Sequence, residues 1–456
     1  MPGKRVLRVP LVPPKPTTPL SSIVWLVYVF GGLIGLGSIL LTLPVSSASG
    51  HFTTPLNAIF TATSAVSITG LVVVDTGTYW STFGQGVLLA LIQIGGFGFI
   101  VGATLTLMAI GGRFSLRDKL LITESMGFNE LGGVIGIVVR IAIFSVAAEA
   151  VGSAIFYFRW FSAGGSEPSL WTAIFHSVSA FNNSGMDLFG NFSSLSGFRS
   201  DAITLLTTAL IIILGSTGYI VFADLARKRS FVRLTLDTKI VLVTTGSLLA
   251  LGTLFYLIAE YSNSATLGPF SFPDKISVAF FQSTSPRTAG FSAIDMGSLK
   301  QISLFFTMLL MFIGGTAGSV SGGVKVNTIG VLVATVLSVV KGRENIEAFG
   351  RQLARQTVYR ALSIFLFYLG VVGVVVTLLS ITEKLPIDKL LFESFSALGT
   401  VGLSTGITPD LSIAGRIIIS FAMIIGRLAP LSFMVFLLHR RQPVDISYPH
   451  ETIRFG

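Results

Sequence analysis

The sequence predicts an all-α polytopic membrane protein of four membrane-pore-membrane repeats, with eight spanning helices and four re-entrant pore loops around one central pore. Three observations predict it. Of the 456 residues, 51% are hydrophobic and 11% charged, with a mean hydropathy of +0.80, more apolar surface than a water-soluble chain of this length needs. Long apolar runs recur along the sequence. Four short segments lying between those runs match one another without gaps.

The runs are Ile23–Leu43, Phe83–Ile110, Val134–Phe158, Ile203–Leu225, Ile240–Ala259, Ile302–Ile313, Val331–Val340, Ala361–Ile381 and Ile417–Leu438. Most reach the ~20 residues that cross a bilayer core. The first is longer than a signal-peptide core and has no small-residue cleavage site directly after it, so it reads as a retained span. Met1–Pro19, with six prolines, reads as an extended tail. Assigning the hydrophilic stretches alternately to two sides places residues 1–20, 111–140, 224–239, 341–360 and 439–456 together. They hold 21 of the 31 Lys and Arg residues but 9 of the 21 acidic ones. That asymmetry is the positive-inside signature and predicts a plasma-membrane protein with both termini cytoplasmic.

The matching segments are Phe60–Gly70, Phe175–Gly185, Phe280–Gly290 and Phe392–Gly402. Each reads Phe, three residues, Ser or Thr, five residues, Gly, with the hydroxyl at Ser64, Ser179, Thr284 and Ser396. The chain thus divides into a tail (1–20), repeat 1 (21–112, loop 54–74), repeat 2 (113–227, loop 169–187), repeat 3 (228–343, loop 273–295), repeat 4 (344–439, loop 386–406) and a C-terminal tail (440–456). Each matching segment is too short to cross ~30 Å as a helix and must return on the side it entered. Non-helical backbone at membrane depth survives only where protein or a water-filled cavity surrounds it, so four such loops demand a common axis. Glycine at each loop's end permits the backbone geometry that aims carbonyl oxygens at an axis, and a ring of carbonyls replaces the hydration shell of a monovalent cation.

At these residues the sequence resembles the Trk/Ktr/HKT superfamily of potassium transporters, most closely its Ktr-type bacterial uptake subunit. The likeness covers about Val24 to Gly456 and includes Thr69-Gly70-Leu71, Gln93-Ile-Gly-Gly-Phe-Gly98, Ser179-Ala-Phe-Asn-Asn183, Ser285-Pro-Arg-Thr-Ala-Gly-Phe291, Gly399-Thr-Val-Gly-Leu403 and Gly426-Arg-Leu-Ala-Pro430. The resemblance implies channel-like potassium uptake through one main-chain filter per chain. The filter residues it implies are Ile68, Thr69 and Gly70; Asn183, Ser184 and Gly185; Thr288, Ala289 and Gly290; and Thr400, Val401 and Gly402. In the plant branch a serine at the first glycine goes with sodium transport, so Gly70 favours potassium.

Gly314-Gly315-Thr316-Ala317-Gly318-Ser319-Val320-Ser321-Gly322-Gly323 is too rich in Gly and Ser for a continuous helix and predicts a break. Close packing of small residues would also suit it; the resemblance implies an intramembrane gating loop. Lys325 and Arg427 fall where an unpaired charge is costly. They pair with Glu149 or with backbone carbonyls, or, as the resemblance implies for Arg427, form an electrostatic barrier to cations. Arg287 reads as a strut for the third loop. His176, Asn182 and Asn183 read as hydrogen-bonding braces of the second.

By resemblance, the C-terminal tail with Tyr448, Phe455 and Gly456 inserts into the partner of a homodimer. A cytoplasmic ring of nucleotide-binding RCK regulatory subunits docks on the basic inner loops, and any ATP or ADP belongs to that ring. The chain itself shows no cofactor motif. With no Cys, four scattered His and no nucleophile or phosphate-loop pattern, it is not read as an enzyme, nor do its dispersed basic residues suggest nucleic-acid binding. The competing class is a sodium- or proton-coupled secondary transporter, which calls for inverted repeats; four loops entering from one side argue against it.

Overall fold

A computed structural model describes residues 19–109, 134–162 and 169–439, giving only the backbone for 19–26, 98–109, 134 and 429–439. The predicted tails, including Tyr448, Phe455 and Gly456, and most of the predicted inner stretch 111–140 lie outside the described residues.

The described residues are mostly helical. Helix α1 (Pro19–Thr42) is followed by α2 (Pro55–Val66), the one-turn α3 (Thr76–Tyr79) and α4 (Thr82–Ala109). Next come α5 (Val134–Ser162), α6 (Leu170–Phe181), α7 (Ala202–Thr217) and α8 (Tyr219–Lys228). Then follow α9 (Leu236–Ala259), α10 (Phe272–Thr284), α11 (Gln301–Phe312) and α12 (Val326–Val340). A two-strand hairpin, β1 (Glu347–Ala348) with β2 (Arg351–Gln352), leads to α13 (Arg355–Thr382), α14 (Ile387–Gly399) and α15 (Ile413–His439).

Local signals set the boundaries. Pro55 opens α2, Ser271 caps α10 by accepting from Asp274 N–H, and the Asp201 carboxylate accepts from the N–H groups of Ile203 and Thr204 to start α7. Among the described residues, α5, α9 and α13 are long and apolar enough to cross a membrane. Helices α7 and α8 would make a fourth if taken together, but the chain turns by 90° between them. Gly218, at φ +74°, supplies that turn.

The order long helix, short helix, extended segment, further helix occurs four times, the last helix of the third group, α11, having 12 residues. Its short helices, α2, α6, α10 and α14, have 12 or 13 residues and are buried over most of their length. Each packs against the long helices on either side of it in sequence, save α10, whose contact is with α9. Between groups, α4 packs on α6, α7 on α10, α11 on α14, and α15 returns to α2, closing a ring. Lipid gives no hydrophobic drive for helices to associate, so close contact needs small residues. A Cβ at Gly37, Gly152 or Gly252 would lie 2.2–2.7 Å from a neighbouring side-chain atom.

Candidate functional site

The four extended segments meet at the centre of that ring. A Cβ on Gly70 would lie 2.0 Å from the carbonyl oxygen of Ser184. On Gly185 it would lie 2.8 Å from that of Ala289, on Gly290 2.3 Å from that of Val401, and on Gly402 2.3 Å from that of Thr69. Each glycine therefore abuts the carbonyl just before the next group's glycine, and the fourth closes on the first. All four have left-handed φ, from +70° to +94°, and so does the residue two before each: Ile68, Asn183, Thr288 and Thr400, from +50° to +76°. A side chain in this conformation is strained, and four such residues at equivalent places were not anticipated from the sequence.

The shared hydroxyls hold the loops. Ser64 Oγ accepts from Gly70 N–H at 3.0 Å, Ser396 Oγ from Gly402 N–H at 3.1 Å, and Ser179 Oγ donates to Met186 O at 2.6 Å. The third loop departs from the expected register. Thr284 Oγ1 donates back along its helix to Phe280 O, and Ser285 takes the bracing role, its Oγ donating to Phe291 O. Here α10 ends at Thr284 itself, whereas α2, α6 and α14 run two or three residues past the matching hydroxyl. On one side of the glycines opens a cavity of about 390 Å³, lined by all four of them and by Asp187, Asp295 and Arg199.

On the other side lies the segment 314–323. Its neck is closed by a bridge between Ile313 and Val324, with Gly314 N–H donating to Val324 O at 2.8 Å. A Cβ on Gly322 would stand 2.0 Å from Thr400 Oγ1, and Asn183 Nδ2 donates to Ser321 Oγ at 2.9 Å. The loop is thus seated directly against the residues beside the glycine ring. The break after α7 frees carbonyls there, and the loop uses them: Thr316 N–H donates to Ser216 O at 2.9 Å and Thr316 Oγ1 to Thr217 O at 2.7 Å.

Residues 23–443 match the family model described as TrkH, cation transport protein. The chain belongs to the TrkH family. It is 38% identical over 424 residues to the Ktr system potassium uptake protein B of Bacillus subtilis, covering 92% of this chain and 94% of that one. It is 37% identical over 430 residues to the potassium/sodium uptake protein NtpJ of Enterococcus hirae, covering 93% and 95%. Its fold is similar to the crystal structure of the potassium transporter TrkH from Vibrio parahaemolyticus, with a TM-score of 0.69 at 17% identity over 94% of this chain and 86% of that one.

In this TrkH-family chain both central cations are held by consecutive carbonyls of the 314–323 loop. Lys325 Nζ donates to Ser321 O, and Arg427 donates to Val320 O and, at 2.7 Å, to Gly95 O. Glu149 partners neither of them. Its carboxylate accepts from Gln93 Nε2 at 3.1 Å and from Asn182 Nδ2 at 3.2 Å. Asn182 thus braces the second loop as expected, and His176, ringed by Phe156, Trp160, Phe189 and Phe291, shares a hydrogen bond with Thr208. Arg287 is buried, and its Nε has no acceptor among the described residues. Among those residues no group of three or more His, Asp and Glu is placed to hold a metal.

Proposed function

We propose that this chain takes up potassium through a pore on the axis of the glycine ring. The four groups are read as membrane-pore-membrane repeats with eight spans. In this count α7 is a span whose continuation α8 turns along the cytoplasmic surface, and α11, the loop and α12 make one broken span. Ile68–Gly70, Asn183–Gly185, Thr288–Gly290 and Thr400–Gly402 form the filter. Alternating left-handed φ within each triplet suits successive carbonyls that face one axis and replace an ion's water. The observation that carries this reading is the cyclic contact of each glycine with the next loop's carbonyl. The acidic residues Asp187 and Asp295 at the cavity concentrate cations outside it. Segment 314–323 acts as the gate beneath, with Lys325 and Arg427 clamping it and adding positive charge to the conduction path. The inside-negative potential drives entry. Both termini are cytoplasmic, the C-terminal tail serves a homodimer, and a nucleotide-binding RCK ring controls the gate.

The experiment is potassium and sodium flux into proteoliposomes, comparing wild type with Gly70→Ser. A serine Cβ cannot occupy the space that Ser184 O fills, so the ring must widen. Potassium-preferring flux that loses its preference in the variant is the expected result. Wild-type vesicles without cation flux, regulatory ring supplied, would refute the proposal.

A further inference from the structure

Helix α12 is 15 residues long, roughly 22 Å, too short to cross a bilayer core, yet its second half shows an apolar face to its surroundings. Val336, Val339 and Val340 are 61%, 67% and 77% exposed. Between α12 and α9 runs a groove of about 270 Å³, lined by apolar residues including Val243, Ala334 and Leu337 and by the charged Lys341, Arg343 and Glu347. Lys341 makes no ion pair among the described residues. Arg343 pairs with Glu347 at 2.7 Å, but both side chains are nearly half exposed, and a surface pair of this kind gives way readily to a competing anion.

Aromatic side chains adjoin the groove. Phe349, at the turn of the β1–β2 hairpin, meets the ring of Phe231 with centroids 6.0 Å apart. Arg229 and Arg233 stand two residues to either side of Phe231 in the sequence. Exposed aromatic and aliphatic side chains interleaved with Arg and Lys are what an interface between hydrocarbon and headgroups selects.

We propose that this groove is a binding site for an anionic phospholipid of the cytoplasmic leaflet. One acyl chain lies between α9 and α12, and the phosphate is held by Lys341 and Arg343. Only the assignment of leaflet rests on the proposed orientation; the site itself does not depend on what the pore conducts. A second copy of this chain is the less favourable occupant, because a two-fold interface would set this basic cluster against its own image. The site also bears on the gating loop, since α12 opens with Asn327, whose Oδ1 accepts from Ala317 N–H at 3.0 Å.

Native mass spectrometry of the full-length protein in mild detergent, with added palmitoyl-oleoyl phosphatidylglycerol or phosphatidylcholine, tests this. Wild type is expected to retain phosphatidylglycerol with a preference of about fivefold or more. Lys341→Gln with Arg343→Gln is expected to abolish the preference, and Ala334→Trp, which fills the groove without touching charge, to abolish retention. Equal retention of both lipids by wild type, or an unchanged preference in the charge variant, overturns the proposal. So does an Ala334→Trp protein that becomes monomeric while still retaining phosphatidylglycerol, which would assign the groove to a second copy.

Discussion

Asn183 Nδ2 lies 2.9 Å from Ser321 Oγ, joining a residue two before the second glycine to the loop that interrupts α11 and α12. The same Nδ2 reaches Thr288 Oγ1 at 3.3 Å, so one amide bridges two of the central loops and the segment beneath them. Ser321→Ala is expected to weaken the seating of that segment by ~1 kcal/mol and to raise basal cation flux severalfold. Asn183→Ala in the same background should add little on this contact, giving a double-mutant coupling of ~0.5–1.5 kcal/mol. Independent effects of the two changes on flux would show that the contact does not restrain the loop.

Arg427 clamps the same segment from α15. Hydrogen bonds from a charged donor contribute ~1.5–3 kcal/mol each, and one guanidinium serves both Val320 O and Gly95 O. Arg427→Gln is expected to raise basal flux more than Ser321→Ala does. Arg427→Lys, with a single ammonium in place of the planar fork, should fall between. Stopped-flow flux of the three proteins gives the ranking; equal rates would leave Arg427 without a gating role.

Much of this arrangement is legible in the sequence, because repetition is visible wherever chemistry repeats. The four Phe–Gly segments, the apolar runs and the Gly-Ser break mark the short helices, the ring glycines and the loop. Other features carry no such mark. Thr217-Gly218 interrupts one apolar run with a single glycine, and only the loop that uses the freed carbonyls shows that the helix turns there. The left-handed φ of Ile68 has no sequence signal, since a β-branched residue is the least expected occupant of that conformation. Glu149 finds Gln93 and Asn182 instead of a cation because partners in separate groups are fixed by how α4, α5 and α6 cross, which pattern matching along one chain does not specify.

The Glu149 cluster has its own signature. Glu149→Leu removes the acceptor of Gln93 Nε2, while Asn182 Nδ2 keeps Gln93 Oε1 at 2.8 Å and Val178 O at 2.9 Å, and leaves one part-buried amide underbonded at a cost of ~1–3 kcal/mol. Glu149→Gln keeps one oxygen in place and should cost much less. Thermal unfolding of both variants in detergent is the measurement; equal losses would mean that shape alone matters at this position.

Asp224, on α8, accepts from Thr235 N–H at 2.9 Å and from Lys228 at 2.7 Å. Burial pulls its carboxyl upward, but hydrogen bonds from Lys228, Thr235 and Thr238 outweigh it and hold it at about 2, below the ordinary 3.8. A depressed carboxyl stabilises the fold above its unfolded value and loses that contribution as pH falls toward the folded one. Asp224→Asn is therefore expected to lower the melting temperature equally at pH 5 and pH 8, with the gap to wild type shrinking only below about pH 4. A gap that closes between pH 8 and pH 5 would show that the carboxylate is not held in this way.

The closed contact sequence among the four groups runs through one polypeptide, so each quadrant is free to differ from the other three. Assembled from four identical chains, an interrupted helix would appear four times, and four loops would compete for the same axial space. Here the loop 314–323, in the third group, reaches residues beside the glycines of the second, third and fourth groups. Covalent tandem linkage thus separates two demands that identical subunits must meet together: near-symmetry at the level of the glycines, and asymmetry immediately below it.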